Sequence, residues 1–236
     1  MHAAPPLSGA RFASAPNQDP TTFESVSDQE LLAAFADDGT SLGALPRNEV
    51  HEHGYWHEVF HCLVVAHRSG VPTAVLQRRS ASKKAFPGLL DLSAAGHILA
   101  EETVADGVRE LHEELGITPA FADLALLGTF RIADSDPAAE GKNREIVHTF
   151  LLRDDRPLVD YQPDPVELAG VAELSLDDLE SLFAVPGALA QVDEVALDGS
   201  HRTFVATVAD LVPDVDGYWP AMLQAARTEL GEHPRR

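Results

Sequence analysis

Residues 103–117 read Thr103-Val104-Ala105-Asp106-Gly107-Val108-Arg109-Glu110-Leu111-His112-Glu113-Glu114-Leu115-Gly116-Ile117, and the apolar members Val104, Val108, Leu111 and Leu115 recur at steps of four, three and four. Those steps mark one face of a helix. Thr103 with Asp106 can cap its start, and Gly116 suits its end, where a left-handed residue closes the last turn. Glu110, Glu113 and Glu114 then fall together on the face away from the apolar stripe. Like charges so close repel and raise one another's pKa, whereas Mg²⁺, a hard cation that prefers oxygen ligands, relieves the repulsion. An acidic helix face is more often merely solvated, so the metal reading draws its weight from the residues around the helix.

Working outward, the apolar runs 59–66 and 73–77 are parted by Arg68-Ser69-Gly70, the pattern of paired strands. Residues 31–35 and 42–45 flank Asp37-Asp38-Gly39 in the same way, so a hairpin is expected there in preference to a short helix over 28–35. Pro87-Gly88 punctuates residues 83–93, which read as a loop. Downstream, strands are expected over 125–132 and 146–152, a helix over 176–183, and an amphipathic helix over 218–230. Helices and strands alternate rather than segregate, which points to an α+β fold with an α/β/α layering. Residues 1–24 mix Pro, Ser, Ala and Asn without periodicity and read as a mobile tail. The main domain is expected over 25–185, with 186–236 a C-terminal extension packed on it.

The 236 residues carry 38 Asp and Glu against 17 Lys and Arg, a formal charge of -21, which repels a nucleic-acid backbone over most of the surface. A phosphate-bearing substrate is therefore expected to arrive with or through a cation. Cys62, the only cysteine, lies in an apolar run and reads as a buried small hydrophobe, which excludes an internal disulfide and a cysteine-rich zinc site. No apolar run approaches the roughly 18 residues of a membrane span and the N-terminus lacks a leader pattern, so a cytoplasmic protein without membrane contact is expected.

With Glu101 eight positions before Arg109, the segment resembles the Nudix box, G-x5-E-x7-R-E-U-x-E-E-x-G-U with U aliphatic. The departure is at its start, where strict spacing puts Ala95 at the glycine and Gly96 follows one place later; a one-residue contraction before the helix accounts for it. The resemblance implies a mixed sheet between helices and hydrolysis of a diphosphate linkage with Mg²⁺ or Mn²⁺. It implies Glu110, Glu113 and Glu114 as metal ligands, Glu101 supporting them, Ala95 contributing its backbone carbonyl, and Arg109 orienting a carboxylate. The base that takes the proton of the attacking water is a box glutamate, with Glu113 the candidate, or Glu145.

The basic run Gln77-Arg78-Arg79-Ser80-Ala81-Ser82-Lys83-Lys84, leading to Asp91-Leu92-Ser93-Ala94-Ala95-Gly96-His97, resembles the isopentenyl-diphosphate isomerase-like branch of that superfamily. Arg78, Arg79, Lys83 and Lys84 are candidate diphosphate contacts, and His97 a further substrate-binding candidate. His57, His97 and Glu145 fall where the isomerases place metal or acid residues, and His51 does so with a one-residue gap. Ala95 stands at the position of the isomerase cysteine, so hydrolysis is preferred to isomerisation. A non-catalytic diphosphate or nucleotide sensor is the third possibility. His51, His53, His57 and His61 could suggest zinc, but lone histidines on strands more often pack and hydrogen-bond, and that reading is preferred. The expected partner is a small-molecule diphosphate, with residues 160–236 shaping its pocket or a homodimer contact.

Overall fold

A thirteen-residue strand, β3 (Trp56–Arg68), is the axis of the molecule because its apolar run is continuous and both of its faces are covered. Val59, Leu63 and Val65 point into one core cluster, while Phe60, Cys62, Val64 and Ala66 point into the other. The computed structural model describes residues 30–134 and 142–231. The tail expected over 1–24 lies outside them.

Four strands pair with β3: β1 (Leu31–Phe35), β4 (Val71–Arg79), β6 (Ala94–His97) and β8 (Asn143–Arg153). The ladder with β8 is parallel and runs through nine pairs, from His57↔Glu145 to Val65↔Arg153, whereas the other ladders are antiparallel, so the sheet is mixed. It is completed by β2 (Ser41–Pro46) on β1, β5 (Leu90–Asp91) on β4 and β7 (Leu124–Asp134) on β8. Beyond β4 come β9 (Leu168–Ser175), β10 (Ala190–Ala196) and β11 (His201–Ala206) in that order. The hairpins anticipated around Asp37-Asp38-Gly39 and Arg68-Ser69-Gly70 are β1–β2 and β3–β4.

Helices cover both faces. After α1 (Arg47–His53), which caps a small cluster of Leu32, Ala34 and Val50, helix α2 (Arg109–Leu115) buries Leu111 and Leu115 against Phe60, Cys62 and Val64. On the opposite face α3 (Leu176–Ala184) and α4 (Tyr218–Glu229) bury Leu179, Leu182, Met222 and Leu223 over Val59 and Leu63. The α/β/α layering follows. Residues 186–231 supply β10, β11 and α4, with β10 paired to β9 and α4 lying against β7. No helix among the described residues is long and apolar enough to cross a membrane.

The helix expected from Val104 begins later. The Thr103 N–H and hydroxyl both donate to the Asp106 carboxylate, at 2.8 and 2.7 Å, and a 3₁₀ turn (Asp106–Val108) leads into α2. Gly107 sits so close to the sheet that a Cβ there would lie 2.7 Å from that of Phe60. Val104 and Val108 still pack on the core, and Gly116 closes α2 with φ 70°.

Candidate functional site

The short helix α2 presents Glu110, Glu113 and Glu114 unequally. Glu110 and Glu114 are 8% and 4% exposed, whereas Glu113 stands in solvent. Glu114 is fixed from two strands: the Ala95 N–H of β6 donates to its Oε2 at 2.9 Å, and Gln77 Nε2 of β4 donates to the same oxygen at 3.2 Å. Glu110 lies under Gly96, where a Cβ would fall 2.0 Å from its Cδ. A side chain at position 96 would have to displace the Glu110 carboxylate.

Arg109 ties the cluster together. Its guanidinium donates to Glu110 at 2.6 Å, to Glu113 at 2.9 Å and to the His97 carbonyl at 2.8 Å. Glu102 accepts from its Nε at 2.7 Å and from its Nη2 at 3.1 Å. Burial pushes the Glu110 carboxyl up to about 7, with Arg109 opposing and Glu113 reinforcing the rise. Burial likewise raises Glu114 to about 8, with the charge of Glu110 adding to it. Two buried carboxylates in an all-oxygen cluster are the donor set a hard divalent cation takes, since the cation compensates the charge that burial disfavours. Glu110, Glu113 and Glu114 are therefore the residues that could hold one.

Two expected site residues stand elsewhere. Glu101 is exposed, and its neighbour Glu102 takes the place beside Arg109. Counting back from Arg109 gave Glu101, but the chain is one residue shorter between strand and helix, so Gly96 and Glu102 keep the glycine-to-glutamate spacing. Arg78 is committed to a strand tie: its Nε donates to Glu194 of β10 at 2.6 Å, and its Nη1 donates to the Gly88 carbonyl at 2.7 Å. Glu194, 2% exposed, also accepts from Arg202 at 2.7 Å, and both arginines lie about 5 Å from the Phe204 ring. In so acidic a chain a cation finds a carboxylate readily. Arg79 donates to Asp91 at 2.9 Å, Lys83 pairs with Glu167, and Lys84 is exposed.

Beside the carboxylates lies a second cluster. His51 of α1, His57 of β3 and His97 of β6 bring one ring nitrogen each within 4.8 Å of one another. Their ring centroids are 4.8 to 5.4 Å apart. His57 Nδ1 lies 3.2 Å from the Tyr55 carbonyl and donates to it, which leaves Nε2 of the neutral ring as a lone pair. Nε2 of His57 and Nε2 of His97 are buried without a partner. Burial holds His51 and His57 down at about 4, and His97 well below the ordinary histidine range. Three neutral imidazoles are a nitrogen donor set for a borderline metal. Glu145 stands opposite His57 across the parallel ladder and accepts from Asn143 Nδ2 at 2.6 Å. The resemblance to the isomerases singled out His51, His57 and His97, the three that converge; of the others in the histidine-rich stretch, His53 folds back on the Glu49 carbonyl.

Comparison with known proteins places this geometry. The family model of the NUDIX domain matches residues 56–195, more than half of the chain. An uncharacterised Nudix hydrolase of Clostridium acetobutylicum is 31% identical over 84% of this chain and 97% of its own length. An isopentenyl-diphosphate Delta-isomerase of Cutibacterium acnes is 32% identical over 65% of this chain and 77% of its own. A crystal structure of a Deinococcus radiodurans protein superposes with a TM-score of 0.49 at 22% identity, covering 67% of this chain and 91% of that one. The matched residues contain α2, Gly96 and the whole carboxylate cluster, and the chain belongs to the Nudix hydrolase family.

Proposed function

We propose that the protein hydrolyses a small organic diphosphate, a nucleoside diphosphate linked to a second group or a related compound, with Mg²⁺ or Mn²⁺ held by Glu110, Glu113 and Glu114. The observation that carries this reading is the pair of buried carboxylates locked under Gly96 and the Ala95 N–H. When bound, the cation neutralises the diphosphate and lowers the pKa of an attacking water. The chain supplies the rest. Arg109 holds Glu110 and Glu113 in a fixed relation, and Gln77 with Ala95 orients Glu114. Glu113, the exposed member, or Glu145, across the sheet from His57, takes the water's proton. Arg79 and Lys83 supply positive charge to the phosphates by exchanging Asp91 and Glu167 for substrate oxygens. The net charge supports a free small molecule, in the cytoplasm, over nucleic acid or membrane. A homodimer contact through residues 160–236 belongs to the same proposal.

Screening nucleoside diphosphate derivatives, dinucleotides and prenyl diphosphates with Mg²⁺, with and without chelator, tests it. Phosphate-containing products in the metal-supplied arm alone are expected. Binding without turnover of any of them points to a sensor instead.

The histidine cluster favours a second reading, isomerisation of isopentenyl diphosphate, the reaction that the name of the Cutibacterium acnes relative gives to that protein. Against it stands Ala95 at the place of the isomerase cysteine. Incubation with isopentenyl diphosphate decides: the allylic isomer formed without hydrolysis would establish the second reading and remove the first.

A further inference from the structure

His61 lies on β3 directly opposite Ala95 of β6 and Thr149 of β8. Residues paired across an antiparallel ladder present their side chains on one face, so His61 shares its face with Ala95 and, two positions on, with His97. Its Nδ1 is 2.9 Å from the hydroxyl of Tyr218, the first residue of α4. That hydroxyl is in turn 3.0 Å from Thr149 Oγ1. Thr149 is fully buried and Tyr218 is 6% exposed, its ring set edge-on to Phe130.

Which way these bonds point is settled by counting protons. If His61 Nδ1 carried hydrogen, it would donate to the Tyr218 oxygen; either Tyr218 or Thr149 would then hold a buried hydroxyl proton with no acceptor. A buried hydroxyl proton left without an acceptor is strongly disfavoured. Only the order Thr149 to Tyr218 to His61 Nδ1 gives both buried hydroxyl protons an acceptor. The ring's hydrogen is then on Nε2. That atom has no hydrogen-bond partner among the described residues, yet it is not among the fully buried unpartnered atoms, so it keeps some access from outside on the strand face it shares with Ala95 and His97. An aimed donor with no carboxylate facing it is unusual in a chain of charge -21, where Arg78, Arg79 and Lys83 are all paired.

We propose that His61 is a substrate-binding residue whose Nε2–H hydrogen-bonds a phosphate oxygen of the diphosphate, and that Tyr218 is the positioning residue that aims it. The assignment rests on the diphosphate reading above and deepens it. It also gives α4 a function: the helix lies beyond the matched residues 56–195, so this chain recognises its substrate partly through an element that the family match does not include.

The test uses the full chain, Mg²⁺ and methylenediphosphonate, a diphosphate analogue that is not hydrolysed. Titration followed through the ¹⁵N signals of the histidine rings should move the His61 Nε2 signal saturably, with Nε2 protonated and Nδ1 not. By calorimetry, His61→Ala should weaken binding of the analogue about tenfold or more, as for a hydrogen bond to a charged group. His61→Gln, whose amide reaches the same point, should restore most of it, and Tyr218→Phe should lose an intermediate amount. A His61 ring unmoved at saturation, or unchanged binding in a folded His61→Ala, overturns this assignment alone. Absence of any binding by the wild type overturns the diphosphate reading and this assignment with it.

Discussion

The glutamates of α2 and the histidines of α1, β3 and β6 are neighbouring polar clusters, each partly buried, built on opposite plans. Each glutamate is already hydrogen-bonded, to Arg109, Gln77 or the Ala95 N–H, so its geometry is fixed before any cation arrives. The histidines instead keep two buried ring nitrogens without a partner among the described residues. A preorganised oxygen cluster suits a hard cation that is exchanged with substrate, whereas unpartnered imidazoles suit a softer ion that stays. On the proposed function, the carboxylates form the reacting site and the histidines a separate cluster beside it.

The sharpest way to break that division is Glu114→Gln, which removes one buried charge with little change of shape. Hydrolysis should fall by roughly 10²–10³-fold, the scale of losing one electrostatic group from a preorganised site, while circular dichroism and Tm stay near wild type. Retained turnover would refute the reacting role. Gly96→Ala attacks the same cluster through its roof. The new methyl meets the Glu110 carboxyl, so stability should drop by about 1–3 kcal/mol as in overpacked cores, and a calorimetric Mg²⁺ titration should show weaker binding.

Proton linkage separates the clusters further. Because burial raises Glu110 and Glu114 to about 7 and about 8, their contribution to the metal-free fold is fully present below the unfolded carboxylate range and is lost as pH rises through those values. The Tm of the metal-free protein should thus decline from pH 6 to pH 8 more steeply than that of Glu114→Gln. Mg²⁺ should restore more of it at pH 8 than at pH 6; equal slopes for the two proteins would contradict the assigned burial. The smallest effect on turnover is expected from His57→Ala. It should change Mg²⁺-dependent hydrolysis by about threefold or less, as for a residue that shares no ligand with the carboxylate cluster.

How much of this was readable beforehand depends on reach along the chain. Glu110, Glu113 and Glu114 lie within two turns of one helix, so spacing alone put them together, and the hairpins at Asp37-Asp38-Gly39 and Arg68-Ser69-Gly70 are equally local. The tie of Arg78 to Glu194 spans 116 positions and that of His61 to Tyr218 spans 157, and neither leaves a periodic trace in the sequence. Glu101 was misplaced for a different reason. Counting in a fixed pattern cannot see a single residue dropped between a strand and a helix, and only the contact of Glu102 with Arg109 reveals it.

The parallel ladder between β3 and β8 has a consequence for how the protein comes to be made. Parallel neighbours cannot be joined by a tight turn, and here the connection is residues 69–142, which include β4, β5, β6, α2 and the whole of β7. Pairings that far apart in sequence form slowly, because the intervening chain must be closed into a loop first. On the ribosome helix α2 can dock on β3 as soon as it emerges, but His57 and His61 meet Glu145 and Thr149 only after β8 has been synthesised. The carboxylate cluster of α2 is thus expected to mature before the surroundings of His57 and His61 on β3.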